Sequence, residues 1–147
     1  MGQLTIPNGA TVYADTSVFI YTIEEHPSYY NLLQPLWSQF QTEQLELVSS
    51  ELTLLETLVV PTRNLDSELI KTYEKLLLAS RVQLLPITQT ILKAAAQLRA
   101  TTNLKTPDAI HAVTALSGGC TLFLTNDAQF RVVAELPTVV LGELLRS

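Results

Sequence analysis

Apolar residues are arranged along this chain in two rhythms. Short runs that are almost continuously apolar occur at residues 11–14, 45–48, 82–85, 121–125 and 139–141. Runs of that length, bounded by turn residues and rich in Val, Ile, Leu and Tyr, predict strands buried on both faces. Between them the apolar positions recur at helical spacing. Thr16 and Ser17 are placed to cap a helix over residues 18–23, and Pro27 and Ser28 to open a second, with Leu32, Leu36 and Phe40 at i, i+4 and i+8. Pro35 would kink that second helix. Residues 51–59 read as a helix that Pro61 stops. Asp66 is the expected N-cap of a helix reaching Ser80, with Leu69, Ile70, Tyr73, Leu76 and Leu77 on one stripe. Thr88 should cap the next helix, which carries Ile91, Leu92, Ala95 and Leu98 and ends near Thr101. Thr106 suits an N-cap, Pro107 the first helical position and Asp108 the first turn, with Gly118-Gly119 closing that helix after Ser117. The residues beyond 141 are expected to form a tail.

Strands alternating with helices, each strand nearly all apolar, predict an α/β fold with a central parallel sheet and helices on both faces. With 147 residues and 47% apolar content, the chain reads as one domain spanning residues 1–147 with its core at about 11–141. No repeat or low-complexity stretch divides it. The single Cys120 cannot form an internal disulfide, and no charged region followed by an apolar run opens the sequence, so a cytoplasmic location is expected. The uncharged stretch 109–126 approaches the length of a membrane span. Its content of His111, Ser117, Gly118-Gly119 and two threonines fits a helix, turn and buried strand better.

A net charge of −5 argues against coating nucleic acid with a broadly basic surface. It leaves open a pocket in which acidic residues gather and attract divalent cations. In a parallel sheet, ligands bind at the carboxyl ends of the strands. Asp15 and Asp127 each directly or closely succeed an apolar run, where a charge needs a partner. Asp108, in a first helical turn, gains from the positive end of the helix and should stay ionised. Asp15, Glu56, Asp108 and Asp127 can converge only if something offsets their repulsion, and Mg²⁺ or Mn²⁺ does so while activating water for phosphodiester hydrolysis.

Four runs carry a family resemblance: Tyr13-Ala14-Asp15-Thr16-Ser17, Ser50-Glu51-Leu52-Thr53-Leu54-Leu55-Glu56, Lys105-Thr106-Pro107-Asp108-Ala109-Ile110-His111-Ala112, and Thr125-Asn126-Asp127-Ala128-Gln129-Phe130. Together, over residues 12–140, they resemble the PIN-domain ribonucleases of the VapC-type toxin group. The resemblance implies a PIN-like fold and an endoribonuclease dependent on Mg²⁺ or Mn²⁺. Asp15, Glu56, Asp108 and Asp127 would hold the metal, with Ser17 and Thr125 as hydroxyl neighbours. It further implies an RNA substrate, a homodimer and an antitoxin partner, while the composition implies no membrane partner. The third run matches the family pattern best and the second is the loosest.

Other residues keep two readings. Glu51 competes with Glu56, but five residues along a helix turn a side chain by about 140°, so both cannot face one site. His111, one turn after Asp108, could meet a phosphate or the surroundings of the metal, or could simply pack or cap. Lys105 and Arg131 could neutralise a phosphate or be solvated charges. Tyr29, Tyr30, Trp37 and Phe40 could stack bases or meet a partner, although core packing commonly explains such a stripe. A metal-dependent phosphatase would need a second Asp two residues after Asp15, where Ser17 stands. A response-regulator-like receiver would need paired acids after the first strand, where Asp15 is alone. A PIN-like interaction module without nuclease activity would have no need of the acidic cluster.

Overall fold

A computed structural model describes residues 2–146. Met1 and Ser147, the end residues of the expected domain, lie outside the described residues. The elements run in the order β1 (Ala10–Ala14), α1 (Thr16–Ile23), α2 (Gln34–Gln41), β2 (Leu45–Ser50), α3 (Leu52–Arg63), α4 (Ser67–Leu78), β3 (Gln83–Leu85), α5 (Gln89–Thr101), α6 (Thr106–Ser117), β4 (Leu122–Thr125), a 3₁₀ turn (Ala128–Val132), β5 (Thr138–Val140) and α7 (Leu141–Arg146). The five strands form one parallel sheet in the order β3-β2-β1-β4-β5. The predicted α/β class is the observed one.

The chain winds outward from β1 through β2 to β3, then returns by α5 and α6 to place β4 on the other side of β1. The strand order therefore reverses between β1 and β4, which opens a crevice at their carboxyl ends. Asp15 comes directly after β1, and Thr125 ends β4.

Pleating explains how so apolar a sheet is covered. Val12, Ala14, Leu45, Leu47 and Leu124 turn to one face with Val18, Phe19, Leu36, Phe40, Leu77 and Leu141, while Tyr13, Val48 and Phe123 turn to the other with Ile91, Ala95, Ile110, Val113 and Phe130. Each fully buried Leu or Phe contributes about 1.5–3 kcal/mol. Two helical layers thus enclose the sheet, and α6 is buried at every residue from Ala109 to Ala115.

Several boundaries differ from those predicted, each for a local reason. Residues 27–33 form successive turns, not a helix, and α2 starts at Gln34. Pro35 therefore sits in the first turn, where its missing N–H matters least, and introduces no kink. Pro61 lies inside α3 instead of ending it: its ring is buried and its carbonyl accepts from Asp66 N at 2.9 Å. Asp15, not Thr16 or Ser17, caps α1 by accepting from Ser17 N. Thr106 is the first residue of α6, and its hydroxyl accepts from Arg99 Nη1 at 2.9 Å instead of capping. The expected tail is α7, held because Leu141 is buried and Gly142 N donates to Asn126 Oδ1 at 2.8 Å.

Candidate metal and RNA site

Asp15 is set by its position. As the cap of α1 at the mouth of β1, it is only 8% exposed, and its Oδ1 accepts from Ser17 N at 3.1 Å and Ser17 Oγ at 2.5 Å. Its Oδ2 accepts from Thr125 Oγ1 at 2.5 Å, so a hydroxyl from β4 reaches across the crevice to the acid of β1. Burial pushes the Asp15 carboxyl above its usual range, against the pull of the Ser17 and Thr125 hydrogen bonds. Thr125 Oγ1 also accepts from Asp127 N at 3.1 Å, which couples the first and last acids through one buried hydroxyl.

Asp127 opens the 3₁₀ turn, with Oδ1 accepting from Gln129 N at 2.9 Å. The residue between it and β4 is anchored on both sides: Asn126 Nδ2 donates to Tyr21 Oη at 3.0 Å and its Oδ1 accepts from Gly142 N. Asp108 is in the first turn of α6, half-buried. Burial raises its carboxyl, and the charges of Asp127, Glu56 and Asp15 raise it further. The helix end does not outweigh these neighbours, contrary to the expectation that it alone would favour the ionised form. Asp127, Glu56 and Asp15 thus all bear on the charge of Asp108.

Glu56 is brought in by α3. Its Oε1 accepts from Thr16 Oγ1 at 2.6 Å and lies 2.8 Å from His111 Nε2. Burial raises the Glu56 carboxyl, yet the hydrogen bonds from His111 and Thr16 prevail and leave it below its ordinary range. His111 is 3% exposed and its Nδ1 lies 2.6 Å from Tyr13 Oη. Its bonding to Glu56 carries it past a plain packing role. Glu51 points elsewhere, accepting from Ile87 N at 3.3 Å beside β3.

The family model described as PIN domain matches residues 12–136. The chain belongs to the PIN-domain family. None of the curated proteins matches it significantly. Among solved structures, this PIN domain is similar to VapC20 of Mycobacterium tuberculosis, a toxin cleaving the sarcin-ricin loop, with a TM-score of 0.70 and 15% identity over 84% of this chain and 95% of that one. It is similar to VapBC2 from Rickettsia felis, solved on a DNA fragment from its promoter, with a TM-score of 0.65 and 18% identity over 88% and 98% of the two chains. A toxin-antitoxin complex from Klebsiella pneumoniae gives a TM-score of 0.64 and 19% identity over 88% and 97%. At such identities the likeness is one of fold, and the resemblance seen in the four sequence runs holds at that level.

In this PIN domain the donor chemistry suits a hard divalent cation: every candidate ligand is a carboxylate, and a cation would offset the neighbouring acids that push the Asp108 carboxyl up. Asp15 Oδ2, with one hydrogen bond, retains a lone pair to give. Among the described residues, no three His, Cys, Asp or Glu side chains are already grouped as ligands of one ion. Lys105 is exposed at the N-cap of α6. Arg131 is drawn into a paired contact with Glu143, its Nη2 donating to Oε1 at 2.6 Å, which favours the solvated-charge reading over phosphate binding. The aromatic stripe belongs largely to the core: Phe40 is buried, Trp37 Nε1 donates to Thr22 Oγ1 at 2.7 Å, and Tyr29 stacks on Tyr21. Sequence reasoning passes over Thr16, Thr53 and Ser49 as site residues, yet Ser49 Oγ donates to Ala14 O and meets Thr53 Oγ1 at 2.8 Å, below Thr16. Thr16 and Thr53 lie inside the four family-like runs, which is the only signal that could have found them.

Proposed function

We propose that this PIN domain is a metal-dependent endoribonuclease that hydrolyses RNA phosphodiester bonds, acting in the cytoplasm as the toxin of a toxin-antitoxin pair. The observation that carries the reading is the hydrogen-bond link from Asp15 through Thr125 to Asp127 across the ends of β1 and β4, with Glu56 bonded to Thr16 beside Asp15 and Asp108 in the first turn of α6. Asp15, Glu56, Asp108 and Asp127 would hold Mg²⁺ or Mn²⁺. When bound, the cation supplies the positive charge that makes water a usable nucleophile near neutral pH and that balances the scissile phosphate.

The protein's own groups then orient. Ser17 and Thr125 hold both oxygens of Asp15, so that the acid keeps one rotamer while buried. Asn126 fixes the strand end from which Asp127 projects. Lys105, exposed at the N-cap of α6, would meet an RNA phosphate. With an overall charge of −5, RNA is held in a narrow groove and not on a basic face.

A homodimer and an antitoxin partner belong to the same proposal. The likeness to VapBC2 and to the toxin-antitoxin complex from Klebsiella pneumoniae supports the antitoxin partner. Leu55, Val59 and Val60 on α3 and Leu65 beyond it, which are 64%, 45%, 51% and 89% exposed, give apolar surface for such contacts. The test is incubation of the purified chain with mixed RNA and Mn²⁺ or Mg²⁺. Cleavage that stops with chelator and returns on adding metal supports the nuclease. Cleavage unaffected by chelator excludes the metal mechanism, and no cleavage with either ion favours an interaction module that has lost the activity.

A further inference from the structure

We propose that Tyr13 and His111 form a buried positioning pair that fixes the orientation of Glu56, so that one carboxylate oxygen is committed to the protein and the other is presented to the metal. The inference rests on the metal-site reading above and assigns a role to two residues that do not themselves touch metal or substrate.

The geometry is a chain of contacts running from the core to the crevice. Tyr13 is fully buried on β1, its ring stacked on Phe123 with centroids 5.1 Å apart and planes at 9°. Its hydroxyl meets His111 Nδ1 at 2.6 Å, and the opposite nitrogen, Nε2, meets Glu56 Oε1 at 2.8 Å. The phenolic hydroxyl is a hydrogen-bond donor and can give its hydrogen to Nδ1. An imidazole that accepts at Nδ1 carries its hydrogen on Nε2, and that N–H donates to Glu56. Both hydrogen bonds to Glu56, from His111 and from Thr16, fall on Oε1, and none among the described residues falls on Oε2. The carboxyl is therefore held by one edge. A side chain at the middle of a helix with 28% exposure would otherwise sample several rotamers, each at an entropic cost to ligand binding.

Two amide substitutions separate this role from plain packing. In His111→Gln the amide nitrogen reaches about as far as Nε2 and can still donate to Glu56, whereas in His111→Asn it reaches only as far as Nδ1. Tyr13→Phe keeps the stack on Phe123 and removes only the hydroxyl. Mn²⁺ binding by the full chain, tracked through the paramagnetic resonance of free Mn²⁺, is the readout, with melting of the metal-free variants as the check on folding. The expected result is roughly ten- to hundredfold weaker Mn²⁺ binding for His111→Asn, a smaller loss for Tyr13→Phe, and near-normal binding for His111→Gln. Unchanged binding in Tyr13→Phe, or equal losses in both amide variants, would overturn the positioning pair while Asp15→Asn still abolished binding. An unmodified chain that bound no Mn²⁺ would instead remove the metal-site reading itself.

Discussion

Thr125→Val is the most incisive structural perturbation of the crevice. The change is close to isosteric and removes one hydroxyl that is 0% exposed, donates to Asp15 Oδ2 at 2.5 Å and accepts from Asp127 N at 3.1 Å. Losing a hydrogen bond to a charged group costs about 1.5–3 kcal/mol, because the carboxylate oxygen stays buried without a donor. For a chain of this size that corresponds to a fall in melting temperature of roughly 3–12 °C. The loss must depend on pH. Burial already pushes the folded-state Asp15 carboxyl above its ordinary range, and Thr125 is one of the groups that lowers it. Without Thr125 it rises further. A carboxyl raised in the folded state contributes stability that is fully present below its unfolded value and is lost as pH rises through the folded value. The penalty should therefore be largest near neutral pH and shrink on the acid side. Urea unfolding in chelator at several pH values measures it. In an Asp15→Asn background the same substitution should cost only about 0.5–1.5 kcal/mol, the scale of a neutral hydrogen bond. Equal costs in both backgrounds, or a cost independent of pH, would refute the reasoning.

The same geometry leads to two other outcomes. Asp108→Asn should raise the melting temperature of the metal-free protein at neutral pH, since burial and the charges of Asp127, Glu56 and Asp15 all oppose its ionised form; the gain should disappear in acid, and a lower melting temperature at neutral pH would contradict it. Leu65 has φ of 55° and is 89% exposed, so Leu65→Gly relieves left-handed backbone strain at little loss of burial and should stabilise by about 1 kcal/mol in urea unfolding.

The sheet and most helices could be read from the sequence because buried parallel strands and capped amphipathic helices are local patterns. Asp66 and Thr88 cap α4 and α5 where their side-chain chemistry indicated. Local pattern failed where a distant partner decides the outcome. Pro61 stays inside α3 because the turn after it returns Asp66 N to its carbonyl. The segment 141–146 is helical because Leu141 finds the core and Asn126 holds Gly142. At the site, the acids stood out by charge at strand and helix ends. Their hydrogen-bond partners did not, since Tyr13 meets His111 across 98 positions and Thr125 meets Asp15 across 110. Burial of α6 on all sides also erased the stripe that would have shown where His111 points.

If Asp15, Glu56, Asp108 and Asp127 together support RNA hydrolysis, single-turnover RNA cleavage in Mn²⁺ separates the unmodified chain from Asp15→Asn, Asp108→Asn and Asp127→Asn, each shown to be folded. The expected result is cleavage by the unmodified chain and at least about a hundredfold loss in each variant, the scale associated with removing a charge-stabilising group from a reaction site. Folded variants that cleave as fast as the unmodified chain would show that these carboxylates are not the reaction site.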